Sequence, residues 1–150
     1  DHVSLPYLGE ERAHRMYSLK TILDSGGVVA FGTDYPVGTD YLTYNPLDGI
    51  RTAVTRLPLP PDSPITEPYH PDELIDLKTA IEAYTYWGAY TNFMENSTGT
   101  LEKGKFADLV ILDKDLFSLP PEDINTARVA ATYLEGKKVF ADAEFSADTA

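Results

Sequence analysis

Between Gly9 and Ser25, apolar residues return at spacings of three and four: Ala13, Met16, Tyr17, Leu19, Ile22 and Leu23. That period predicts one amphipathic helix over the segment. Glu10 and Glu11 fall in its first turn, where the helix dipole favours negative charge, and Gly26-Gly27 suits its exit. The next positions, Val28 to Phe31, are apolar without alternation. Such a run predicts a strand buried on both faces, as in a parallel sheet flanked by helices. Its C-terminal end delivers Asp34, and parallel α/β folds bind ligands at the C-terminal ends of their strands. The plainer reading of the same Asp is a turn cap ahead of Pro36.

Asn45-Pro46 predicts a helix start, with Asn45 as cap and Pro46 at the first helical position. Leu47, Ile50, Ala53, Val54 and Leu57 then share one face. Arg51 and Arg56 read as a solvated or ion-pairing pair, with a site-facing Arg56 as the less favoured alternative. Prolines at 58, 60, 61, 64, 68 and 71 make the following stretch a loop, and His70 before Pro71 reads as a helix cap or surface residue. Pro71 to Glu95 is helical in pattern, broken near Asp76, which can cap the second piece. Leu77, Ala80, Ile81, Tyr84 and Trp87 form its apolar stripe, read as core. Asn96-Ser97-Thr98 matches a glycosylation acceptor, relevant only to a secreted protein.

The pattern changes at Gly99. A turn at Lys103-Gly104-Lys105 precedes a predicted strand from Ala107 to Leu112. Pro120-Pro121 marks a loop. Val129 to Leu134 and Lys138 to Ala141 then read as two strands around a tight turn at Glu135-Gly136. The division expected is residues 1–98, 99–141 and a frayed tail, 142–150.

Composition narrows the function classes. The chain has 150 residues, 43% hydrophobic and 24% charged, enough for one folded unit. A net charge of -12 repels phosphate backbones, so no nucleic acid partner is expected. The absence of cysteine rules out disulfides and thiolate metal sites. No run of about 18 apolar residues exists, so no membrane span is expected. A start at Asp1 without Met or a signal-peptide pattern points to a piece of something longer, or to a processed or cut chain, and a cytoplasmic setting is expected.

Six stretches occur in order: "LGEERAHRMYSLKTILDSGG", "GGVVAFGTDYPV", "NPLDGIRTAVTR", "AIEAYTYWGAY", "GTLEKGKFADLVILD" and "VAATYLEGKKVF". Together they resemble the C-terminal part of the metal-dependent amidohydrolase superfamily, in its amidohydrolase-3 (YtcJ-like) branch. The most telling of them is "GKFADLVILD". The resemblance implies an α/β fold: the C-terminal fragment of a (β/α)₈ TIM barrel plus the C-terminal strands of a small composite β-sandwich. It also implies one or two divalent metals, zinc foremost, at the top of the barrel. Of the family's metal ligands only the last, an Asp after the eighth strand, maps onto this sequence. It falls on Asp34. The implied role is metal ligand and proton shuttle, with Thr33 and Tyr35 as packing or pocket wall.

A full barrel needs about 200 residues or more. The histidines here are His2, His14 and His70, with no His-x-His pair. A catalytic zinc site wants about three protein ligands, and one candidate is present. The function expected is therefore part of a hydrolase of non-peptide C–N bonds acting on a small-molecule substrate. By itself the piece is expected to be inactive, to hold no metal tightly and to self-associate. A self-standing binding or scaffold module is the alternative. A phosphoacceptor domain centred on Asp34 is a third reading, which lacks the acidic neighbours and Lys that magnesium and phosphate would need, Asp40 aside.

Overall fold

The computed structural model describes residues 5–36, 43–59 and 63–146. Short helices come first: α1 (Leu5–Leu8), α2 (Glu10–Ala13) and α3 (Leu19–Asp24). The single helix expected over Gly9 to Ser25 is thus two pieces. Tyr17 stands between them in the left-handed region, φ 57. Carbonyls there are drawn to tertiary donors: the Tyr69 hydroxyl donates to Ala13 O at 3.2 Å, and Arg56 Nη1 to Tyr17 O at 3.0 Å. Periodicity sees none of these long-range bonds.

The strand expected at Val28 to Phe31 is also corrected. The segment is extended but joins no sheet among the described residues. Val28 and Ala30 are exposed, whereas Val29 and Phe31 are half-buried. A strand buried on both faces needs ladder partners on both sides. Here a helix stands beside it instead: Phe31 N–H donates to Ala83 O at 3.0 Å.

Local rules hold better in the middle of the chain. Helix α4 (Pro46–Thr55) begins as predicted, its cap Asn45 accepting from Leu47 N–H at 3.1 Å. A 3₁₀ turn at Pro71–Glu73 has His70 at its N-cap position. Asp76 caps α5 (Leu77–Tyr84) by accepting from Thr79 N–H at 2.7 Å. The expected run to Glu95 breaks again at Thr85, and α6 (Tyr86–Thr91) ends early.

The last third forms a three-stranded antiparallel sheet in the order β1 (Leu109–Leu112), β2 (Val129–Leu134) and β3 (Lys137–Ala141). Leu109 pairs with Tyr133, and Thr132 with Phe140. The hairpin turn is where it was expected, with Glu135 and Gly136 both at positive φ, 49 and 75. Asp108 fastens it, accepting from Glu135 N–H at 2.7 Å and from the Thr98 hydroxyl at 2.9 Å. A short helix, α7 (Ala143–Ser146), occupies the beginning of the expected tail.

The core joins both halves of the chain. Leu47, Ile50 and Ala53 of α4 and Ala80 of α5 pack with Leu116, Ile124 and Ala127, which lie on the connection between β1 and β2. That connection holds two 3₁₀ turns, Leu116–Ser118 and Pro121–Thr126. Arg51 Nε donates to Glu122 O at 3.1 Å, and Asn125 Nδ2 to Asp48 Oδ1 at 2.9 Å, so α4 is docked on it by polar bonds as well. No helix of the described residues is long and apolar enough to cross a membrane.

Candidate active site

Asp34 closes the extended segment. Its backbone is left-handed, φ 53, a conformation that Asp tolerates better than most residues, and the cis peptide Tyr35–Pro36 follows. The carboxylate is exposed and makes no hydrogen bond or ion pair with any described residue. Asp40 and His2 lie outside the described residues. Tyr35 packs edge-to-face on Tyr44, ring centroids 5.8 Å apart.

The preceding residue, Thr33, belongs to the wall of a cleft of about 760 Å³. The cleft lies between the extended segment, the start of α3, α4 and the proline-rich loop. Gly49, Thr52 and Ala53 of α4 line it, with Arg56 just beyond the helix end. Gly49 has a steric reason, since a Cβ there would overlap the Tyr84 hydroxyl, which also lines the cleft. Burial first, and then the Asp48 charge, push the Tyr84 phenol above its usual pKa, so it stays a donor. Asp48 is itself buried, accepting from the Thr43 hydroxyl at 2.6 Å and from Asn125.

Arg56 is not the solvated residue that periodicity suggested. It is 8% exposed and sits beyond the end of α4 with φ 57. Its Nε donates to Tyr69 O at 2.7 Å and its Nη1 to Tyr17 O, binding three segments together. Burial lowers its pKa, opposed chiefly by the nearby Glu73 charge, yet no carboxylate of the described residues comes within ion-pairing distance of it. Arg51 is likewise spent on carbonyls, those of Glu122, Leu57 and Pro58. His70 Nε2 is buried without a partner, its ring 3.9 Å from that of Tyr69 and 4.3 Å from that of His14.

Glu73 accepts from the Thr21 hydroxyl and, at 2.9 Å, from Thr21 N–H. Those bonds, the hydroxyl first, hold its carboxyl below the usual 4.5. A carboxyl depressed in the folded state contributes stability that is present above 4.5 and lost as pH falls through the lower folded value. The urea unfolding midpoint should therefore fall between about pH 6 and about pH 3. Glu73→Gln should lessen that fall, and an identical pH profile in the variant would contradict the assignment.

As a metal donor, Asp34 offers a hard, unengaged carboxylate, the chemistry one ligand position requires. Among the described residues, no group of three His, Cys, Asp or Glu side chains stands close enough to hold a metal ion.

Comparison with known proteins places the chain in a family. The model of the amidohydrolase family matches residues 2–140. LONG AFTER FAR-RED 3 of Arabidopsis thaliana is 36% identical over 134 residues, covering 89% of this chain and 21% of that protein. N-substituted formamide deformylase of Arthrobacter pascens is 30% identical over 129 residues, 85% of this chain and 22% of the enzyme. The protein YtcJ of Bacillus subtilis is 28% identical over 133 residues, 89% of this chain and 24% of that protein. The chain therefore spans between a fifth and a quarter of the length of these relatives. A solved amidohydrolase from Thermotoga maritima MSB8 superposes with a TM-score of 0.59 at 21% identity, covering 85% of this chain and 26% of that one, a likeness of fold.

Proposed function

The chain belongs to the amidohydrolase family, and from that premise we propose that it is the part of a metal-dependent hydrolase that carries the last metal-binding carboxylate, Asp34. The reaction proposed is hydrolysis of a non-peptide C–N bond in a small molecule, an amide or cyclic amide. The observation that supports it most is Asp34 itself: exposed, without a partner among the described residues, and next in sequence to a residue of the cleft wall. The deformylase among its relatives acts on N-substituted formamides, which is the substrate class to try first.

When bound, a divalent metal, zinc foremost, supplies Lewis-acid charge that makes water acidic near neutral pH. One Asp34 oxygen suits that metal as a hard donor. The other accepts the proton released as the water oxygen bonds to the carbonyl carbon, and returns it to the nitrogen as the C–N bond breaks. Tyr84 and Thr33 are placed to bound the substrate side.

We also propose the wider architecture. Residues 1–98 would be the last portion of a (β/α)₈ barrel, and the extended segment its final strand once parallel neighbours are present. Residues 99–141 would be strands of a composite sandwich. Support comes from apolar side chains left exposed on the sheet, among them Val110, Val139 and Phe140. Uncovered apolar strands promote pairing between copies, so the 150-residue chain alone is expected to self-associate.

The test is hydrolysis of N-benzylformamide by the full-length protein, loaded with zinc and then stripped with a chelator. Turnover that is lost on chelation and regained with zinc is the expected result. Turnover indifferent to complete metal removal would refute the proposal.

A further inference from the structure

The Asp34 side chain has no hydrogen bond to any described residue, so its placement depends on its neighbours. Thr33 before it lies in the cleft wall. Tyr35 after it packs edge-to-face on Tyr44, ring centroids 5.8 Å apart and planes at 86°. Tyr44 is held in turn from both sides. The Thr43 hydroxyl donates to Asp48 Oδ2 at 2.6 Å and accepts from Asn45 N–H at 3.0 Å, and Asn45 caps α4. Asp48, in the first turn of α4, is 5% exposed. Its other oxygen, Oδ1, accepts from Asn125 Nδ2 at 2.9 Å, 77 residues later on the connection between β1 and β2. No cation of the described residues forms an ion pair with it. Burying a carboxylate without a cation is costly, and an apolar side chain would fill the same space. What the carboxylate adds is direction: it accepts from two segments at once, at fixed angles.

We propose that Asp48 is a positioning residue for Asp34. From Asn125 through Asp48, Thr43, Tyr44 and Tyr35, every step is a hydrogen bond, a ring contact or a peptide link, and the series ends at the Asp34 backbone. Asp48 touches no reacting atom. It holds Thr43, the next residue carries the ring on which Tyr35 rests, and Tyr35 limits how far Asp34 can swing. A reactive group misplaced by about 1 Å can lose about 10²-fold in rate, so bonds away from the chemistry can govern it. The inference rests on the hydrolytic reading of Asp34. It adds a dependence of that carboxylate on the β-rich part of the chain, through Asn125.

The test uses the full-length, zinc-loaded protein. One readout is kcat for N-benzylformamide per folded molecule, which a loss of stability alone does not change. The other is the fluorine resonance of 3-fluorotyrosine placed at position 35, read without substrate. Thr43→Val deletes the hydroxyl that Asp48 holds and keeps nearly the same shape. It should lower kcat by about 10–100-fold, leave KM within about threefold, and shift the resonance. Asp48→Ala should do the same, and the double variant should be no slower, because both changes break one link. Thr43→Ser keeps the hydroxyl, so kcat should stay within about threefold of wild type and the resonance in place. An unmoved resonance in Thr43→Val, a kcat within about threefold of wild type, or losses that multiply in the double variant would overturn the proposal. So would a change confined to KM, the result expected if Thr43 simply touches substrate. If Asp48→Ala fails to fold, Thr43→Val and Thr43→Ser decide by themselves. The resonance needs no turnover. A wild type that leaves the formamide intact refutes the hydrolytic role, and the resonance then decides the positioning; normal hydrolysis with an unmoved resonance refutes the positioning alone.

Discussion

Replacing Asp34 by Asn in the full-length protein is expected to lower kcat by roughly 10²–10⁴-fold while the fold is retained. The amide is nearly isosteric with the carboxylate, and Asp34 is exposed with no hydrogen bond to a described residue, so little stability depends on its charge. Asn cannot accept the proton that the attacking water gives up. It is also a weaker donor to a hard cation, and part of the loss should appear as a lower metal affinity. Measuring kcat at saturating zinc separates the two effects: affinity is restored by mass action, and the proton-transfer loss is not. A variant within about threefold of wild-type kcat at saturating zinc would remove Asp34 from the chemistry.

The second large effect concerns stability. Gly99 joins the helical part of the chain to the β-rich part, with φ +89. A Cβ at this position would lie 2.6 Å from Ala89 Cβ and 3.2 Å from both Thr85 O and Tyr86 Cα. Two of these neighbours are backbone and cannot turn aside. The left-handed conformation alone costs a non-glycine residue about 1–2 kcal/mol, and overfilling a packed site about 1–3 kcal/mol. Gly99→Ala is therefore expected to destabilise the protein by about 2–5 kcal/mol. Gly104→Ala is the internal control: its φ is also positive, at 101, but nothing lies within 4 Å of the added Cβ. That variant should lose about 1–2 kcal/mol, the conformational part alone. Urea unfolding of both decides the matter, and equal losses would mean that the close approach to α6 is unimportant.

What could be read from the sequence was mostly what nearest neighbours decide. Asn45-Pro46 and Asp76 start helices because each cap bonds an N–H two or three residues ahead. Glu135-Gly136 turns the hairpin through its own backbone angles. Features set from far away were misread. The break at Tyr17 depends on Arg56, 39 residues later. Arg56 looked solvated, yet carbonyls from two other segments bury it. The strand expected at Val28 to Phe31 needs sheet neighbours that no local pattern supplies. At the site, Asp34 is proposed from its place at the end of an apolar run and from the family resemblance. Thr52 carried no signal, because its place in the cleft wall is visible only once the cleft exists.

The most direct measurement of the central claim is anomalous diffraction at the zinc edge from crystals of the full-length, zinc-loaded protein. An Asp34 carboxylate oxygen is predicted at about 2.0–2.2 Å from the metal. A fully ligated zinc whose donors exclude Asp34 would contradict the account.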